Sequence, residues 1–277
     1  MLPAFNLNAP AAMDTDLKDQ LPWVPQAEIR GNLAIGNLRE NMLRFHAVER
    51  GVHAQTLLAT MGALAGFAAQ NAALNRAAAA TASDGPVSFP ELVLAEAKSG
   101  ERYLAGDWIN VHLFPEAGSV LPFWGFLAGA AVQAGASLQE LPDTGEILRH
   151  VAGTLGGEAY GKLRAAAEHQ PSLPPNELLR RSWPLACQIF THPLPDEIAQ
   201  TGRDEPPLDE THWPIIVAIV TSQYIPMMKD VMDPRVAFAL ALESAVISAK
   251  IDPERIEPGK WDIQAAAGRL TVRRIGN

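Results

Sequence analysis

Residues 51–75 hold no Asp, Glu, Lys or Arg, and within that stretch small residues recur at helical spacing. Ala59, Gly62, Gly66, Ala69 and Ala73 are separated by three or four positions, which puts them on one stripe of an α-helix. Leu57, Met61 and Leu64 form a second stripe, roughly 160° away at about 100° per residue. A helix that is smooth on one side and bulky on the other must be buried on both. The smooth side admits another backbone at close range. The pattern predicts a helix over 52–80, sandwiched between neighbours at the centre of the core.

The remaining signals are also mostly helical. Ile35, Leu38, Met42 and Phe45 share a face in a helix running from Leu33, with Gly51 ending or kinking it. Ser119 and Pro122 suit the start of a helix over 120–138. Asp143 and Glu146 are spaced as a capping box for a helix that stops near Gly156–Gly157, and a short helix is expected over 158–169. Asp233–Pro234 combines a capping side chain with a proline where no N–H is needed. The run after it, VAFALALESAVISA, is apolar nearly all round and belongs inside a bundle.

The one β signal in the body of the chain is ELVLAEAKSGERYLAG. It predicts that 92–97 and 101–105 pair antiparallel around Ser99–Gly100. The C-terminal RLTVRRI alternates weakly and reads as a strand or a tail. WPLACQIFT (183–191) echoes WPIIVAIVT (213–221), as a duplicated helical unit or by chance. The fold expected is mainly α: a multi-helix bundle of about eight to ten helices with a small β-hairpin. Residues 1–30, with Pro3, Pro10, Pro22 and Pro25, read as an extended arm, and 31–277 as a single helical domain.

Charge narrows the function classes. The net charge is −9, and the pairs Arg180–Arg181 and Arg273–Arg274 are too short for an electrostatic footprint, so nucleic acid is not expected as a partner. No basic start leads into an apolar run at the N-terminus, where Asp14, Asp16 and Asp19 come early. Three uncharged segments, 51–75, 117–139 and 211–228, raise the question of a membrane. Gly125 and Gly129 make the second the strongest of them, as a GxxxG pair. Its apolarity comes largely from Ala and Gly, and buried helices are the expected outcome for all three. A cytoplasmic, soluble protein follows as the expectation. Cys187 is the only cysteine, which precludes an intrachain disulfide.

Few residues point to chemistry. Glu243 is the only charge between Arg235 and Lys250, in a helix otherwise apolar. Either it holds a ligand, a metal or a proton inside the bundle, or it pairs with an arginine from a neighbouring helix or sits at a solvated edge. His46, Glu49 and His53 fall on one face if the helix runs through them, the nearest approach here to a metal set. Glu146 and His150 form the nearest second element, but no matching Glu-x-x-His completes a di-metal pattern, and no metal or cofactor is assigned. Cys187 near His192 reads as a buried apolar thiol, since a nucleophile needs an accessible, thiolate-stabilising setting. Ser99 and Ser119 lie outside any GxSxG motif, and the glycine-rich pieces lack Walker or Rossmann spacing. His112, His169 and His212 have no assignable partners in the sequence.

Two function classes stay open. One is a non-catalytic helical protein that binds a protein or small molecule or assembles with itself, as a homo-oligomer and most simply a homodimer. The other is an enzyme or ligand binder with a site inside the bundle near Glu243.

Overall fold

In this computed structural model the described residues are 29–49, 51–88, 90–115, 122–192 and 207–275. Among them are eight α-helices with small antiparallel sheets, so the chain is mainly α with minor β. The helices are α1 (Ile29–Phe45), α2 (Ala54–Ser83), α3 (Asp107–Leu113), α4 (Phe123–Gln133), α5 (Thr144–Thr154), α6 (Pro175–Thr191), α7 (Trp213–Met227) and α8 (Pro234–Ser248). Short strands β1 (Ala47–Val48) and β2 (Gly51–Val52) pair between α1 and α2. Strands β4 (Val93–Glu96) and β5 (Arg102–Ala105) form the expected hairpin, with Gly100 at φ +82 in its turn. A further sheet has the order β3 (Val87–Ser88), β7 (Arg269–Arg274), β6 (Trp261–Ala266). RLTVRRI is therefore a strand and not a tail; its partner β6 was not foreseen. Of the arm expected over 1–30, residues 1–28 lie outside the described residues, and 29–30 belong instead to α1, which opens at Ile29, ahead of the expected start.

α2 is the central element, and every residue from Thr56 to Leu74 is buried. It packs on α6, α7 and α8 and on the C-terminal sheet. The small-residue seam faces α8 at very close range. A Cβ built on Gly62 would stand 2.1 Å from the Ala241 carbonyl oxygen, and one on Gly66 would stand 2.0 Å from that of Ala245. Four residues on, Gln70 donates from Nε2 to Ala249 O at 3.0 Å and to Ile251 O at 2.7 Å. These contacts advance together along both helices, so α2 and α8 run parallel. α2 is also the one helix among the described residues long and apolar enough to cross a membrane, and its apolar window lies inside the protein. The GxxxG pair behaves differently: a Cβ on Gly129 would meet nothing within 4 Å, and one on Gly125 only Pro122 at 3.8 Å. In place of the expected 120–138 helix, α4 has 11 residues.

α1 and α7 also run parallel. The buried Arg30, near the start of α1, donates to the carbonyls of Ile189 and His192 at the end of α6. Phe190, beside them, stacks on Trp213, the first residue of α7, with ring centroids 5.0 Å apart. Further along, Tyr224 Oη donates to Arg39 O at 2.5 Å. The C-terminal ends of α1 and α7 therefore lie at the same end of the molecule as the N-terminal ends of α2 and α8. The C-terminal end of α4 joins them, because Ala134–Ala136, Glu140 and Asp233–Arg235 line one surface cavity of about 340 Å³.

Two local expectations need correction, and one open alternative narrows. Residues 158–169 are turns with a 3-10 turn at Ala167–His169, not a helix. Asp143 caps α5 by accepting from Gly145 N at 2.7 Å, but Glu146 reaches Arg164 instead of closing the box. Trp183–Pro184 lies within α6, whereas Trp213–Pro214 opens α7. The two segments thus occupy different helical positions, which favours chance over duplication, although their indoles pack 5.7 Å apart.

Candidate functional site

Glu243 is 3% exposed. It sits on α8 because the surrounding positions face α2, α4 and α5, and it points at the segment that follows α5. Its two carboxylate oxygens accept from the Arg164 backbone N–H at 3.3 and 3.2 Å. Arg164 Nε stands 3.5 Å from Oε1, and its guanidinium reaches on to Glu146 at 3.8 Å. His150 Nε2 is 3.5 Å from Glu243 Oε1 and 3.3 Å from Lys162 O. The structure therefore brings together Glu146, His150, Arg164 and Glu243, and the carboxylate finds an arginine, though from the segment after α5 and not from a neighbouring helix.

Burial pushes the Glu243 carboxyl above its ordinary value of 4.5, opposed by the Arg164 N–H and by the charges of Arg164 and His150. A carboxyl whose folded pKa is raised contributes stability below the unfolded value, and that contribution is lost as pH rises through the folded value. Glu243→Gln keeps an acceptor for the Arg164 N–H and removes the buried charge. The variant should match or exceed the parent in Tm at pH 7. Its advantage should grow from about pH 4.5 upward and vanish below it. Thermal melts across that range check the sign; an advantage largest in acid would contradict it.

The three metal candidates do not share a helix face. α1 ends at Phe45, and β1 and β2 intervene. His46 packs its ring against Phe45 at 5.0 Å, and burial lowers its pKa. Glu49 lies in the β1–β2 turn, while His53 precedes α2 with Nδ1 2.7 Å from Thr56 Oγ1. Thr56 in turn holds Ser172, accepting from its N–H at 2.9 Å and donating to its hydroxyl at 3.0 Å. Ser172 is one wall of a surface cavity of about 320 Å³ built mainly by residues 161–163 and 170–175. Among the described residues, no three His, Cys, Asp or Glu side chains gather as a metal ion would need.

A second polar network was missed by sequence reasoning. Lys260 Nζ donates to Asn71 Oδ1 at 2.8 Å and lies 3.2 Å from Glu210 and 3.0 Å from Glu257. Glu210 also accepts from Asn75 at 2.6 Å and from Arg274 at 2.9 Å. The ammonium stands 5.2 Å from the Trp213 ring centre and 5.4 Å from that of Trp261. The available signal was Asn71 and Asn75, two amides one turn apart in an uncharged helix. Cys187 borders this network, its thiol 3.9 Å from Glu257 Oε1. Burial, then the Glu257 charge, pushes the thiol up to about 11, so it is protonated at neutral pH and is no activated nucleophile.

His112, on α3, is pushed down to about 4 by burial and by the charge of Arg76. Ser99 lies in the β4–β5 turn, and Ser119 lies outside the described residues. No family model, no curated protein and no solved structure matches this chain.

Proposed function

We propose that this is a soluble, cytoplasmic helical protein that works by binding or assembly, with self-association as its first mode. The observation that carries the reading is the distribution of exposed large apolar side chains. Seven are exposed among the described residues, and six of them belong to the end where α1, α4 and α7 finish and α8 begins: Phe45, Val48, Val132, Leu138, Met227 and Val231. Scattered singly, such residues need no explanation; gathered at one end, they mark a surface that another molecule covers. The interior supports the same reading, because Glu243 spends its oxygens on holding the 162–164 segment to α8. The expected result is a light-scattering mass above the monomer value of 29.8 kDa that rises with concentration. A monomer mass throughout would overturn the assembly reading.

A second reading rests on His150 and Glu243, which stand 3.5 Å apart beside a cationic guanidinium. In that reading the site binds a small ligand within the bundle. Isothermal titration with a panel of small carboxylic acids, run on the parent and on Glu243→Gln, tests it. Heat in the parent that the variant lacks supports the reading; no heat in either counts against it.

A further inference from the structure

We infer that the apolar end of the bundle is the face through which two copies of this chain meet about a two-fold axis. The inference rests on the assembly reading above and adds the surface and its occupant. The apolar side chains alone leave the occupant open; the charges among them decide it.

The charges at this end are mixed in sign at short range. Arg44 lies 3.4 Å from Glu40, and Arg235 lies 2.5 Å from Asp233 and 3.8 Å from Glu140. Lys229 and Asp230 are exposed and adjacent, between the exposed Met227 and Val231. An anionic membrane surface selects an excess of Lys and Arg, and here carboxylates outnumber cations. A strongly charged protein partner selects a face of one sign. A second copy needs neither. In a two-fold interface each patch meets itself, so the patch must carry both signs around an apolar centre. Lys229 beside Asp230 meets that requirement with two neighbouring residues.

The whole-chain charge adds to the argument. At −9, two copies repel one another through their predominantly acidic surface. At this end Arg44 and Arg235 pair with carboxylate neighbours, so the excess of negative charge is small and approach by this face meets less opposition than the whole-chain charge implies. The ends of four long or medium helices converge here, which gives the face a rigid backing.

The test uses the full chain. In light scattering and analytical ultracentrifugation, the parent should approach twice 29.8 kDa as concentration rises. Met227→Glu combined with Val231→Glu would put carboxylates into an apolar interface and should raise the dimer dissociation constant by about 100-fold or more. Both residues are exposed in the monomer, so the double variant should keep the parent's circular dichroism and Tm. Ile275→Glu is the control. This exposed residue follows β7, whose Val272 bonds to Thr81 near the far end of α2, and its substitution should leave the dimer intact. A parent dimer that survives Met227→Glu/Val231→Glu unchanged overturns this inference and leaves the assembly reading standing, with the interface elsewhere. A parent that is monomeric at every concentration overturns both. Loss of the dimer in Ile275→Glu as well as in the double variant also overturns the inference, since the effect then follows charge and not place.

Discussion

Gly66→Leu should cost about 3 kcal/mol or more, a fall of roughly 6–12 °C in Tm for a domain of this size, or should prevent folding. The reason is what the new side chain meets. Its first carbon would fall 2.0 Å from Ala245 O, 2.8 Å from Ala245 C and 2.9 Å from Ala249 N, all of them backbone atoms of the α8 end. A rotamer change relieves a clash with a side chain, whereas this one requires α8 to move away from α2. Gly66→Ala is the sharper test. Alanine gains up to about 1 kcal/mol in helix propensity, and here the clash should outweigh the gain. Gly36→Ala supplies the contrast, because a Cβ on Gly36 meets nothing within 4 Å and the propensity gain should appear undiminished. If thermal melts rank Gly66→Ala above the parent, the close approach of α2 and α8 is wrong.

Lys260→Met should be the second large effect. Lys260 and Glu257 have side chains 14% exposed and Glu210 8%, and the ammonium lies between the two carboxylates. Removing it leaves two buried negative charges facing one another, with Arg274 and Asn75 as the compensation left to Glu210. Losing one partner of a buried ionic cluster costs about 3–5 kcal/mol, and the surviving bonds place this variant near the lower figure. Lys260→Arg should recover only part of the loss, since a planar guanidinium replaces a compact ammonium held between two indole rings. Chemical denaturation of both variants measures the difference. A Lys260→Met loss below about 1 kcal/mol would mean that the cluster is solvated and behaves as a surface ion pair.

What the sequence discloses and conceals follows from the range of the forces involved. The α2 seam is legible because close backbone contact demands small residues at a fixed period, and Gly62 and Gly66 carry that demand locally. The β4–β5 hairpin is legible because Gly100 occupies a conformation other residues avoid. The loop over 158–169 is misread as a helix because its backbone is claimed from afar. Arg164 N–H goes to Glu243, 79 positions away, and the Tyr160 hydroxyl donates to Ile247 O at 2.8 Å. For the same reason Glu243 was recognisable as an isolated charge while His150 and Arg164 were not recognisable as its partners. The Lys260 network joins residues from 71 to 274, and its members fall in four separate stretches of sequence, 71–75, 210–213, 257–261 and 274. β6 alternates only over Trp261–Gln264, too short a run to mark a strand by itself, and its pairing is settled by β7.

The parallel contact between α2 and α8 also sets a schedule for synthesis. Gly66 and its seat at Ala245 are about 180 residues apart, so a ribosome working at roughly 5–20 residues per second finishes the first about 10–35 s before the second. Throughout that interval a stretch with no charge from residue 51 to 75 is outside the tunnel without the helix that covers its glycines. The nascent chain is therefore a client for apolar-segment-binding chaperones until its last fifth emerges. A stop codon placed before residue 234 should yield an insoluble product, not a smaller folded one.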